Sequence, residues 1–130
     1  MKTKSRLFKV SFIALLFMAV LHLISIRFYL YWSFWWLDMI VHFFGGFFVA
    51  GMALYFLLPY LKTNKRLVVF TLGVFVLTVA VLWEVFEFHF GIIVISRNFY
   101  FDTFSDIFMD IVGAVVVLRY VLFLERSSGK

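Results

Sequence analysis

Cysteine is absent from all 130 residues, which removes disulfides and thiolate metal sites from consideration. Proline occurs once, at Pro59, so the chain has a single point at which a helix must end or bend for want of a backbone N–H. Charge is scarce: 15% of the residues are Asp, Glu, Lys or Arg, against about 25% in soluble domains. Apolar residues fill the deficit at 65%, with 20 Phe and 4 Trp. A soluble domain with that aromatic load would expose aggregation-prone surface, whereas lipid tolerates it. The composition implies one compact membrane unit and excludes a second, soluble domain. No nucleophile elbow, phosphate loop or H-E-x-x-H is present, so no hydrolase class follows from a motif.

Four apolar segments are long enough to span a bilayer, which needs about 20 residues. They cover about residues 7–30, 37–58, 67–89 and 104–124. The expected fold is therefore all-α, a polytopic four-helix membrane bundle forming a single domain over 1–130. The first segment is too long for the core of a cleaved leader and lacks a small-residue cleavage site after it. It carries Ser11, Ala14, Met18, His22 and Ser25 at steps of three and four, a small or polar stripe at helical period. Tyr29 to Trp36 reads as a short interfacial loop, since rings with a polar edge settle at headgroup level. Gly46 and Ala50 allow close helix approach. In the third segment Gly73, Ala80, Glu84 and Glu87 share one expected face. Gly91 to Phe101 reads as a weakly polar connection, an interfacial helix or a re-entrant piece.

Charges divide by end. Lys2, Lys4, Arg6, Lys9, Lys62, Lys65, Arg66, Arg119, Arg126 and Lys130 flank one side of the spans, with Glu125 as their only acid. The other side holds Arg27, Arg97, all three histidines and the remaining six acids. The positive-inside rule puts both termini in the cytoplasm of a bacterial inner membrane. Basic residues at membrane boundaries suit anionic lipid, so the expected partners are membrane lipids and not nucleic acid. Oligomeric state is left open.

The chemistry lies in the acidic half. Asp38 and His42 are one helical turn apart and face the same way. Glu84 and Glu87 share a face at i, i+3, and Asp106 and Asp110 follow at i, i+4. His22, Arg97 and Asp102 lie nearby as secondary candidates. Asp102 or Thr103 also reads as an N-cap, with Thr103 and Asp106 as a capping box, and His89 as a wetted boundary side chain. Ionisable groups inside a membrane face the protein interior and mark functional sites. Carboxylates crowded in a low dielectric need protons, cationic side chains or a metal. Imidazole and carboxylate without thiolate suit Zn²⁺, Mn²⁺, Fe²⁺ or Mg²⁺, held through His42, Glu84, Glu87, Asp106 and Asp110, much as ferritin-like bundles hold ions. A metal-free hydrogen-bonded network stands as the alternative.

The ordered set Asp38-x-x-x-His42-x-x-Gly45-Gly46, Glu84-x-x-Glu87, Asp102-Thr103-x-x-Asp106, Asp110 and Gly113-Ala114 resembles the YjdF-like family of small bacterial inner-membrane proteins. It is more distantly similar to the VanZ-like family, associated with teicoplanin-type resistance. VanZ-like proteins carry Lys, Gln and Asn where this chain has Met39, Glu87 and Asp110, which favours the YjdF-like resemblance. The resemblance implies a fold and a site, but no reaction.

Three functional classes follow. The first is an outward-facing polar pocket for a metal or a lipid or cationic headgroup, extending to an envelope-lipid enzyme. The second is a proton- or ion-coupled transport component. The third is a structural or accessory subunit. The topology common to all three is testable: cysteine labelling at positions 33, 64, 98 and 128 should report outside, inside, outside and inside. External labelling at position 64 would contradict it.

Overall fold

The computed structural model describes residues 2–91 and 99–128, and these form an all-helical bundle. Helix α1 spans Lys2–Arg27, α2 is a single turn at Leu30–Ser33, and α3 spans Trp36–Leu57. A 3-10 turn at Leu58–Tyr60 containing Pro59 ends α3, and α4 (Lys65–Phe90) and α5 (Phe99–Ser128) follow. Four helical stretches of 25 to 28 residues are long and apolar enough to cross a membrane. At about 1.5 Å per residue each exceeds a hydrocarbon core of about 30 Å. Local chemistry sets the ends of α4. Asn64 caps it by accepting a hydrogen bond from the Leu67 N–H at 3.1 Å. Gly91 closes it at φ 63°, a left-handed conformation that suits glycine.

Three expected boundaries shift. Helix α1 ends at Arg27 instead of Leu30, because Tyr29 takes a left-handed φ of 55° and breaks the run. The aromatic segment 29–36 is not simply a loop: it folds a helical turn that carries Tyr31 inward, 6% exposed, while Tyr29, Trp32 and Trp35 stay outside. Helix α5 is already formed at Phe99, so Asp102 and Thr103 lie inside it and are not its N-cap, and the capping-box reading fails with them. The aromatic residues Phe99, Tyr100 and Phe101 extend the helix towards the boundary. The reading of Gly91 to Phe101 as a connection falls mainly on residues 92–98, outside the described residues, as does Arg97.

Helix α3 is the centre of the bundle. It packs against α1, α4 and most extensively α5, which also touches α4. The α3–α5 contact is a meeting of backbones. A Cβ on Gly46 would strike the Asp110 backbone, and one on Gly113 would strike the Phe43 and Phe47 backbone. Each helix thus contributes a glycine at the other's closest approach, the small-residue solution to packing without a hydrophobic drive between helices. The Ser11 side chain of α1 packs directly against Gly51, where a Cβ would strike its hydroxyl. Ser11, Ala14 and Ser25 of the α1 stripe are all buried. Towards the basic end the core is apolar, built from Leu7, Ala50, Leu54, Val68, Val117 and Val121. Phe70 and Phe104, 70% and 71% exposed, stand on the outer surface where lipid would cover them.

One face differs from its sequence reading. Gly73 is exposed, and a Cβ added there would meet nothing within 4 Å, while Val68, Leu72, Val76 and Ala80 are buried. That seam advances in steps of four and so drifts around a helix of 3.6 residues per turn, leaving Gly73 on the outer side. Glycines therefore separate by role. Gly46→Ala and Gly113→Ala should each lower stability in detergent by about 1–3 kcal/mol through overpacking. Gly73→Ala should leave it unchanged or raise it by up to about 1 kcal/mol through helix propensity. Unfolding curves of the three variants check the ranking.

Candidate metal centre

The two ends of the bundle differ chemically. At one end Lys62 pairs with Glu125 at 3.4 Å and Lys4 lies over the Tyr55 ring at 4.6 Å. The start of α1, the α3–α4 turn and the end of α5 therefore share an end. The remaining acids of α3, α4 and α5 gather at the other.

His42 is the hub of that acidic end. It is 4% exposed and lies one turn past Asp38 on α3. Its Nδ1 is 3.1 Å from Asp110 Oδ2 on α5, and its Nε2 is 3.9 Å from Glu84 Oε1 on α4. One imidazole thus touches both neighbouring acidic helices. The glycine contact at Gly46 fixes the first distance, since it holds the Asp110 backbone against α3. With an ionised carboxylate facing Nδ1 of a neutral imidazole, Nδ1 would carry the proton and the Nε2 lone pair would be available.

Among the described residues, two groups have ligand atoms mutually within 4.8 Å: Asp38, His42 and Asp106, and His42, Glu84 and Glu87. Both include His42. His42 Nε2, Glu84 Oε1 and Asp106 Oδ1 are buried without a hydrogen-bond partner among the described residues. Buried polar atoms are rarely left unpaired, and an ion, water or proton is the usual answer. The donor set is one imidazole nitrogen plus carboxylate oxygens, which suits Zn²⁺, Mn²⁺ or Fe²⁺. Ligands about 2.1 Å from a tetrahedral ion lie about 3.4 Å apart, so the His42–Glu84 pair needs to close by only about half an ångström.

Each candidate from the sequence other than Arg97, which lies outside the described residues, has a definite place. Glu84 and Glu87 converge on His42 in one group, and Asp38 and Asp106 converge on it in the other. Asp110 belongs to neither group and instead orients His42 from its far side. Such carboxylate–histidine pairs tune metal ligands from the outer shell. His22 is half-buried and lies off the centre, sharing a 2.7 Å hydrogen bond with Tyr31. Asp102 lies in the first turn of α5, where its carbonyl accepts from Ser105 Oγ at 2.7 Å. His89 is exposed, edge-on to Phe90, and apart from the centre.

Sequence reasoning passed over Tyr31 and assigned Thr103 to a cap. Thr103 of α5 lies close to the Glu84 carboxylate of α4. Trp83 similarly lies close to Glu87. Burial, and after it the nearby Asp38 charge, push the Tyr31 phenol above its ordinary value and keep it neutral. The one available signal for Tyr31 was its nine-residue separation from His22 across a break, which no periodicity reveals.

Over residues 1–127 the chain matches the family model described as "Predicted membrane protein (DUF2238)", and it belongs to that family. No curated protein and no solved structure matches it.

The His22–Tyr31 bond ties α2 down beside the centre. Tyr31→Phe should cost about 0.5–1.5 kcal/mol, the net worth of one hydrogen bond. It should also speed amide hydrogen exchange in residues 28–35 while leaving the exchange of α3 unchanged. Unchanged exchange in residues 28–35 would show that the bond does not hold the turn.

Proposed function

We propose that this chain is a single membrane domain whose His42 centre binds one divalent cation, Zn²⁺, Mn²⁺ or Fe²⁺ before Mg²⁺. His42 Nε2, Glu84 and Glu87 would be its ligands, and Asp38 or Asp106 would add a further oxygen. Asp110 would position His42. The observation that carries this is the state of His42: nine-tenths or more buried, Nδ1 engaged by a carboxylate, and Nε2 beside Glu84 without a hydrogen-bond partner among the described residues. A cation offsets the mutual repulsion of the surrounding carboxylates, which an uncharged core could not.

The charge division between the ends supports cytoplasmic termini in a bacterial inner membrane, with the centre in the outer half. The ordered acids and glycines support kinship with the YjdF-like proteins and a more distant one with the VanZ-like proteins. A cation that keeps an open position activates water or polarises a headgroup oxygen, so an envelope-lipid reaction is the use we assign to the pocket. A proton or ion relay is less well supported. It would need polar groups continuing to the basic end, where the core consists of residues such as Leu54, Val117 and Val121.

Purified protein, handled without chelators or a histidine tag, should contain about one divalent metal per chain by elemental mass spectrometry. His42→Ala and Glu84→Gln should lose it. Asp110→Asn should stay folded in a thermal melt yet bind metal about 10–100-fold more weakly, as outer-shell substitutions do. A folded Asp110→Asn with parental affinity would contradict its positioning role. Parental protein without metal after growth with each of the four ions would contradict the cation site.

A further inference from the structure

The bundle is not closed between α1 and α4. Helix α3 packs against both, but the two make at most a slight contact with each other among the described residues. The gap holds a cavity of about 420 Å³ floored by α3, within the range of about 300–1,000 Å³ that ligand sites occupy. Leu15 and Ala19 of α1, Val49 of α3, and Val76 and Val79 of α4 make its apolar length. His22, His42, Trp83 and Asp110 line it at the acidic end.

Its length and direction match one class of molecule. Along α3 the lining runs from Val41 to Val49, about 12 Å at roughly 1.5 Å per residue. Half of a hydrocarbon core of about 30 Å is about 15 Å. The cavity thus runs from the polar boundary towards the mid-plane, as one chain of a lipid in that leaflet does. A water-filled pocket would be expected to have polar lining along its length, and here the polar groups are confined to one end. At that end sits His42 Nε2, buried without a hydrogen-bond partner among the described residues.

We infer that this cavity holds one hydrocarbon chain of a membrane lipid, entering between α1 and α4, with the lipid's headgroup brought to His42. The inference rests on His42 being a ligand-binding centre and names the class of its ligand. It does not require that a metal fill the centre.

The test uses the full chain in vesicles of phosphatidylethanolamine and phosphatidylglycerol. A trace of phosphatidylethanolamine carries a photoreactive diazirine on one acyl chain, and labelled residues are mapped by mass spectrometry. Leu15, Val49 and Val76 should label more strongly than the outward-facing Phe70 and Phe123. Ala19→Trp, which fills the cavity without touching a polar group, should abolish the excess. His42→Ala should reduce it about tenfold, as loss of one polar contact worth about 1.4 kcal/mol would, with Phe123 labelling unchanged. Cavity labelling no stronger than at Phe123, or an excess that survives Ala19→Trp, would overturn the inference. So would an excess unaffected in folded His42→Ala; where that variant does not fold, Glu84→Gln takes its place. Metal is measured in the same samples. Cavity labelling without metal would sink the cation reading alone, and metal without cavity labelling would sink this inference alone.

Discussion

The arrangement of the acidic end depends on one contact: the backbones of α3 and α5 meet at Gly46 and Gly113. Side chains of ordinary size would hold the two helices about 8–10 Å apart. The glycines allow a closer crossing, and this brings Asp110 to within 3.1 Å of His42 Nδ1. Everything else at the centre follows from the orientation this gives the imidazole. With Nδ1 committed to α5, Nε2 is left on the side of α4, opposite Glu84. A packing constraint between two helices thereby becomes a chemical constraint on a third.

The centre and the cavity share the same wall. Met18 of α1 lies beside Gly45, and so does the Asp110 carboxylate. Gly45 therefore stands where the apolar cavity passes into the polar cluster. A bulky residue there would separate the two compartments. The small one leaves them continuous, so that a chain lying against Val49 and a headgroup at His42 can belong to one molecule. The aromatic boundary layer completes the end of the bundle: Tyr31 turns in to His22, while Trp32 and Trp35 face outward at the level where headgroups lie.

The parts legible in the sequence were those written in local spacing. Four apolar runs of spanning length and helix-period stripes on α1 depend only on neighbouring residues. The approach of three acidic faces could be stated as a common depth, because rise per residue converts sequence position to height. The rest depended on rotation and on contact between segments. Nothing in Asp106 or Asp110 says which one meets the imidazole; the glycine crossing decides that, and puts Asp110 behind His42 instead of among the converging oxygens. Gly73 looked equivalent to Ala80 because a seam with steps of four drifts out of register with a fixed face. Tyr31 was hidden because a left-handed residue at Tyr29 reverses the chain, and aromatic composition alone points outward. Thr103 was ambiguous for a similar reason: a Thr near an apolar run signals a cap unless the helix has already begun.

X-ray absorption spectroscopy at the metal edge of untagged, full-length protein tests the central claim most directly. A cation held by His42, Glu84 and Glu87 should show a first shell of nitrogen and oxygen at about 2.0–2.2 Å, without sulfur. It should show outer-shell scattering from one imidazole. A shell of oxygen alone, or scattering from two or more imidazoles, would contradict a single-histidine centre built on the α3–α5 crossing.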